Sequence, residues 1–443
     1  MKHIVIVGNG ISGITAARHI RKKSNFKITV ISAESEYFFS RTALMYVYMG
    51  HMRFEDTQPY EPYFWKKNRI DLVHDYVTTI DFHKNTLHLQ KQGELQYDDL
   101  LLAVGSKPNK FGWPGQDLRG VQGMYSKQDL ESMEENSSGL KQAVIVGGGL
   151  IGVEMAEMFL SRNIQVKFLV REDYFWGGVL PKADATLIEQ HMSKHHGLEL
   201  IKNTELEAMQ GDENGRVKSI TTKSGDTIEC QFVGLTIGVS PNVDFLKDSA
   251  LEIDRGILVN SDLSTNFPNV YAIGDCAQFK KSNGMRRPIE QVWYTGRMMG
   301  ETVAETVCGN PTDYRPGHWF NSAKFFDVEY QTYGWVWNKL KEDEQEFIWQ
   351  HPTKERLLHF VFDKESLEFK GINTFGIRLR HEIFDAWLTK KASMEEVLSN
   401  LRQANFDPEF FNTYEKDIVA AFNNQFNANI QLASKKWWRS ILK

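Results

Sequence analysis

Two stretches of the chain share one construction: IVIVGNGISGITAA, Ile4 to Ala17, and VIVGGGLIGVEMA, Val144 to Ala156, about 140 residues later. Each joins a short apolar run to a turn with GxGxxG spacing and then to a segment rich in small and apolar residues. The repeated pattern predicts strand, tight turn and helix, the opening of a βαβ unit, and so an α/β fold with two parallel-sheet, Rossmann-like domains in three layers.

In the first copy His3–Val7 is the expected strand and Ile14–Lys23 the expected helix, with Ala16 and Ala17 toward the sheet. Gly8 permits the turn, Gly10 lets a pyrophosphate touch the backbone, and Gly13 lets helix and strand pack closely. The helix N-terminus, with about half a positive charge and free N–H groups, then faces the phosphates. A second strand, Lys27–Ser32, ends near Glu34, whose carboxylate can accept both ribose hydroxyls of an adenosine. GxGxxG alone fits any glycine-rich strand-to-helix turn. With a strand before, a helix after and an acid about 20 residues beyond, it reads as a dinucleotide site. The second copy repeats these parts in Gly147, Gly149 and Gly152, with Glu154 just inside the helix. Two such units point to two cofactors that meet.

Bulk properties exclude several alternatives. The 443 residues suffice for two to four domains, and 41% hydrophobic with 25% charged residues is the balance of a soluble globular protein. A net charge of -5 argues against nucleic acid as a partner, since phosphate binding calls for a concentrated basic face. No apolar run approaches bilayer length, and a strand starting at His3 leaves no room for a signal peptide, so a cytoplasmic location is expected. Cys230, Cys276 and Cys308 are far apart and form no CxxC pair, which argues against disulfide, zinc or iron–sulfur frameworks.

Four further stretches, in order, sharpen the reading: YDDLLLAVGSKP (Tyr97 to Pro108), TIGVSPN (Thr236 to Asn242), TNFPNVYAIGDCA (Thr265 to Ala277) and EQVWYTGR (Glu290 to Arg297). With the two glycine turns they resemble the FAD-dependent pyridine-nucleotide oxidoreductases with two dinucleotide-binding domains. Within these the chain is most similar to the ferredoxin, rubredoxin and nitrite reductase flavoprotein branch. The match is strong over about residues 1–310, faint to about 380 and lost beyond; Val104 stands where the family usually has threonine.

The resemblance implies that the first unit holds FAD and an inserted second unit holds NADH or NADPH. The implied FAD-binding domain is residues 1–117 and 243–312, the NAD(P)H-binding domain 118–242, and a C-terminal α+β interface domain with a helical tail 313–443. The chain would leave the flavin domain near Gly112 to Leu118, in the Gly- and Pro-rich FGWPGQDLRGV, and return near Val243. Aromatic strands in HWFNSAKFFDVEYQTYGWVW resemble the family's interface domain, which often mediates dimerisation, so a homodimer is implied. Asp275 would bind the ribityl hydroxyls. Ser12, Val77, Gly105, Val292, Leu150, Ile151 and Gly238 are counted with the cofactor contacts.

The implied chemistry is hydride transfer from the nicotinamide to FAD, then electron transfer to an acceptor. The family sets a basic residue near the flavin's reactive nitrogen and pairs it with the glutamate of the second glycine turn, roles that would fall to Arg41 and Glu154. The alternatives are a surface arginine and a glutamate in a helix's first turn. Where related disulfide reductases and peroxidases carry one or two cysteines, this chain has SRTALMY, with Thr42 at the single-cysteine position. A hydroxyl cannot replace a low-pKa thiol, which leaves flavin-only transfer to a small iron–sulfur protein, a quinone or another small acceptor.

The second unit's second strand ends in VKFLVREDYFW, with Val170 where an NADH-binding relative has an acid and Arg171 beside it. This favours NADPH slightly, although Glu172 and Asp173 oppose it. In HMSKHHG, His191 and His195 have i, i+4 spacing, but no acidic ligand is in register, so the histidines read as a solvated helix face and no metal is expected. The tail SKKWWRSILK, Ser434 to Lys443, has the composition of a membrane-interface helix and gives a second reading, a peripheral NAD(P)H:quinone reductase weakly attached at the membrane's inner face. Packing against the body or a partner subunit is the alternative. A third reading is a slow-turnover, redox-sensing FAD/NAD(P)H-binding protein resembling apoptosis-inducing factor.

Overall fold

The computed structural model describes residues 1–433 except 283 and 411. The tail Ser434 to Lys443, on which membrane attachment was read, lies outside the described residues. These residues form two compact units, one of residues 1–168 with 205–316, the other of 169–204 with the chain from Gly317 onward.

The first unit is built on the expected α/β plan. Its five-stranded sheet has the order Val270–Ala272, Asp99–Leu102, His3–Val7, Lys27–Ser32, Ile70–His74, with every pairing parallel. Ile4, Val5, Ile6, Leu100, Leu101 and Leu102 are all fully buried, as expected of strands covered on both faces, where apolar residues run on without alternating. Helix Ile11–Lys23 packs on one face. It begins three residues earlier than expected because Gly10 is already its cap, so its first free N–H groups rise directly from the glycine turn. Helix Trp293–Val307 lies against it, small residue to small residue: a Cβ on Gly300 would fall 2.5 Å from the Ser12 carbonyl.

The second glycine turn joins strand Gln142–Val146 to helix Leu150–Ser161. Strand Gln142–Val146 pairs in parallel with Phe232–Leu235, which pairs in parallel with Val121–Gln122. The chain's passage between the two sheets is a two-stranded antiparallel ribbon, Ser106–Pro108 against Val239–Pro241, so exit and return brace each other.

In the second unit, five antiparallel strands have the order Phe320–Phe325, Val328–Gly334, Phe369–Phe375, Leu357–Asp363, Glu344–Gln350. Helices His381–Thr389 and Glu415–Phe426 accompany them, completing the α+β character expected of the C-terminal segment. Phe347, Phe360, Phe362, Phe369 and Phe384 are buried in its core. One polar network is buried among them: Asp184 accepts from Asn373 at 2.8 Å and lies 2.7 Å from Nδ1 of His359, whose Nε2 is 3.0 Å from Glu346. Burial opposes charge on His359, but Asp184 and Glu346 outweigh it and raise its pKa to about 9.

Candidate active site

The glycine turns owe their shape to contacts that only glycine permits. Gly8 and Gly147 share φ +114°, and a Cβ would fall 2.0 Å from the Ala103 carbonyl at Gly8 and 2.6 Å from the Thr236 carbonyl at Gly147. Gly13 and Gly152 press on the turns themselves, where a Cβ would fall 2.0 Å and 2.5 Å from the carbonyls of Gly8 and Gly147. Gly10 and Gly149 are different: a Cβ on either meets nothing within 4 Å. These two positions open to free space at helix N-termini without a side-chain cap.

A cavity of about 610 Å³ runs through the first unit. Gly8, Gly10 and Ser12 line it from the first turn, followed by Glu34, Arg41 and Val77. Gly105 and Asp275 line it from the segments that follow strands Asp99–Leu102 and Val270–Ala272, and Leu150, Ile151 and Glu154 reach it from the second turn. Gly13, Gly147, Gly149, Gly152 and Gly238 are not on this wall. Nor is Val292, though its neighbours Gln291 and Trp293 are. Arg171 belongs to the other unit, where it is exposed and paired with Glu172 at 3.0 Å.

The charges are arranged differently from the expectation. Arg41 binds Glu34, not Glu154: its two terminal nitrogens donate to the two Glu34 oxygens at 2.8 and 2.6 Å. A bidentate fork of this kind is the strongest common form of ion pair. Burial works against the charge on Arg41, but Glu34 holds its pKa above the ordinary value. The same guanidinium donates to the Tyr125 carbonyl at 2.6 Å and lies 4.4 Å above the Tyr125 ring. Glu34 also accepts from the Lys127 backbone at 2.9 Å, so much of its acceptor capacity is already committed.

Tyr125 was not legible as a site residue, since nothing in GMYSKQD marks it. Its hydroxyl donates to Asp275 at 3.2 Å and accepts from the Ser106 backbone at 3.0 Å, joining the Arg41 cluster to the aspartate. Burial raises the Asp275 pKa, and hydrogen bonds from Tyr125 and Ser106 with the charge of Arg41 restrain the rise. Glu154 lines the open cavity. Crowding by protein, with a smaller contribution from Glu157, pushes its carboxyl up to about 7.

No cysteine lines this cavity among the described residues. Thr42 is on its wall, while Cys276 is fully buried and its thiol is pushed up to about 12. The donor set suits a dinucleotide: two uncapped helix starts for phosphate oxygens, carboxylates at Glu34 and Asp275 for hydroxyls, and apolar Val77, Ile151 and Trp293 for flat rings.

Residues 2–300 match the family model described as pyridine nucleotide-disulphide oxidoreductase. The chain belongs to this family. The chain is similar to a nitrite reductase [NAD(P)H] of Bacillus subtilis (strain 168), at 28% identity over 315 residues, 70% of this chain and 38% of that protein. A rubredoxin-NAD(+) reductase of Ectopseudomonas oleovorans is 26% identical over 313 residues, 70% of this chain and 80% of that protein. The chain thus spans well under half of the nitrite reductase but most of the rubredoxin reductase. The solved structure of an NAD-dependent persulfide reductase from A. fulgidus shares the fold, with a TM-score of 0.83 at 22% identity over 96% of this chain and 84% of that one. Among the described residues no helix of this family member is long and apolar enough to cross a membrane.

Proposed function

We propose that the chain is an FAD-dependent NAD(P)H oxidoreductase that passes electrons to a small redox protein, with an iron–sulfur protein of the rubredoxin type as the first candidate. The observation that carries the reading is one cavity walled by Gly8, Gly10 and Ser12 of the first glycine turn and by Leu150, Ile151 and Glu154 of the second. When bound, a flavin accepts hydride from a reduced nicotinamide and hands electrons on singly or in pairs.

The residues divide the work. The first turn and the start of helix Ile11–Lys23 would cradle the flavin nucleotide's pyrophosphate, with Gly10 leaving room for it. Asp275, held by the Tyr125 hydroxyl, would accept from ribityl hydroxyls. Arg41 would add positive potential while locking Glu34 in place for the adenosine ribose. Leu150, Ile151 and the turn around Gly149 would receive the nicotinamide nucleotide, and Glu154 would accept a hydrogen bond from its carboxamide. In domain terms, 1–117 with 243–312 would carry the flavin, 118–242 the nicotinamide nucleotide, and 313–443 the interface role. NADPH is the favoured donor because Arg171 is exposed and no acid stands at Val170; Glu172 already shares that charge, which keeps the preference small. That no thiol lines the wall among the described residues supports an acceptor other than a disulfide.

The test is purification of the full chain, absorbance spectroscopy for bound flavin, and stopped-flow reduction by NADPH and by NADH. Reoxidation is then followed with rubredoxin, ferredoxin, a quinone and oxygen. Fast reduction and fastest reoxidation by an iron–sulfur protein support the proposal. A quinone or oxygen outpacing both proteins redirects it, and a long-lived reduced complex with every acceptor points to sensing. A colourless chain that takes up no flavin on refolding in excess FAD overturns it.

A further inference from the structure

The second unit holds a side-chain cluster unrelated to this cavity. His191, near the end of helix Lys182–Met192, and His195, one turn on, bring their Nε2 atoms within 3.3 Å of each other. Asp327 supplies the acid that the helix itself lacks, from the turn between strands Phe320–Phe325 and Val328–Gly334. Its Oδ1 lies 2.7 Å from His191 Nε2 and 3.9 Å from His195 Nε2. The reading of a solvated helix face therefore fails for His191, which is buried against this turn.

We propose that His191, His195 and Asp327 form a binding site for a divalent transition metal, with zinc the best match. The argument begins with size. Tetrahedral ligands at about 2.0–2.1 Å from a zinc ion stand about 3.3–3.4 Å apart. The three separations here, 3.3, 2.7 and 3.9 Å, bracket that edge, so side-chain shifts of about half an ångström reach it. Two imidazoles and one carboxylate are a donor set for zinc, and would leave calcium and magnesium short of oxygen ligands.

Three features around the cluster fit a site. Nδ1 of His191 is buried with no hydrogen-bond partner among the described residues, and the Glu355 carboxylate stands 3.9 Å from it. A metal-bound histidine characteristically donates its second N–H to such a carboxylate, so a small closing movement would complete this arrangement. Lys194 binds the same Glu355 and holds it at that edge. The turn that presents Asp327 is strained: Phe325 pairs with Val328, so only Phe326 and Asp327 turn the chain, and Phe326 has φ +56°. An aromatic residue is a poor choice for that conformation, where asparagine or glycine is usual. Here the Phe326 ring stacks on His195 at 4.2 Å and fixes its orientation toward Asp327. The Asp327 side chain is 79% exposed, which leaves the fourth coordination position to water.

Metal ligands bind in their deprotonated forms, so zinc binding releases protons and weakens as pH falls. The test uses the full, untagged chain, stripped with a chelator. Zinc is titrated by calorimetry in two buffers of different ionisation enthalpy, and cobalt by visible absorbance. Expected are one equivalent of zinc, proton release and the intense bands of tetrahedral cobalt. His195→Ala and Asp327→Asn, both at accessible positions, should weaken binding by more than the roughly 10- to 100-fold that follows loss of an outer hydrogen bond. Glu355→Gln should weaken it by roughly tenfold. Wild-type binding no tighter than that of His195→Ala and Asp327→Asn, or no stoichiometric binding at all, overturns the site. Circular dichroism of each variant separates misfolding from ligand loss.

Discussion

The two glycine turns have nearly the same backbone and different surroundings. Gly8 and Gly147 share one φ value, and Gly13 and Gly152 press on them in the same way. Around the first turn the structure is closed. Ser12 is wedged so tightly that a Cβ on Gly274 or Gly296 would fall 2.4 or 2.7 Å from its Oγ, and Arg41 neutralises Glu34 beside it. At the second turn the equivalent of Ser12 is Ile151, half-buried on the cavity wall, and crowding by protein pushes the Glu154 carboxyl up to about 7. The same motif, open at Gly10 and at Gly149 alike, thus makes one tightly packed, charge-compensated cradle and one looser, more open cradle. The first suits a ligand that stays, the second a ligand that must leave.

The largest test of this contrast is steric. Gly8→Ala puts a methyl into the Ala103 carbonyl at a φ that alanine resists, and should cost about 2–5 kcal/mol of stability with loss of flavin, read by thermal denaturation and absorbance. Next, Gly10→Ala and Gly149→Ala add a methyl to open space and should each change stability by about 1 kcal/mol or less. They should part in function: Gly10→Ala lowers flavin occupancy, whereas Gly149→Ala keeps flavin and raises KM for the nicotinamide nucleotide. Equal flavin loss in both would erase the distinction.

Glu154→Gln probes the open cradle by pH. The wild-type carboxyl is neutral below about 7 and ionised above it. Wild type and variant should therefore reduce at similar rates near pH 6 and diverge, by roughly tenfold, near pH 8. Stability scans over the same range need a control from the second unit. His359 has a folded pKa of about 9, above its ordinary 6.5. Its contribution is fully present below pH 6.5 and is lost as pH rises toward 9, so melting of this unit should fall by a few degrees in that window and flatten in His359→Gln. The smallest effect is expected from Arg171→Ala, which should raise KM for NADPH by roughly tenfold or less and leave KM for NADH unchanged.

The residues themselves determined a great deal. A β-branched strand, glycines in fixed spacing and small residues on the next turn of helix admit few backbones, because sterics at Gly8 and Gly13 act over a handful of neighbours in the chain. The strand–turn–helix units and their parallel sheets were legible for that reason, whereas Asp275 and Glu154 were named from the family resemblance, and both line the cavity. Long-range pairing was decided only by the tertiary structure. The sequence reading paired Arg41 with Glu154, and in the fold it binds Glu34; Tyr125 reached Asp275 across 150 residues; Asp327 came to the histidine pair from a distant hairpin. Motifs encode local backbone geometry, whereas the partner of a charged side chain depends on which surfaces the packed core brings together, and no local spacing records that.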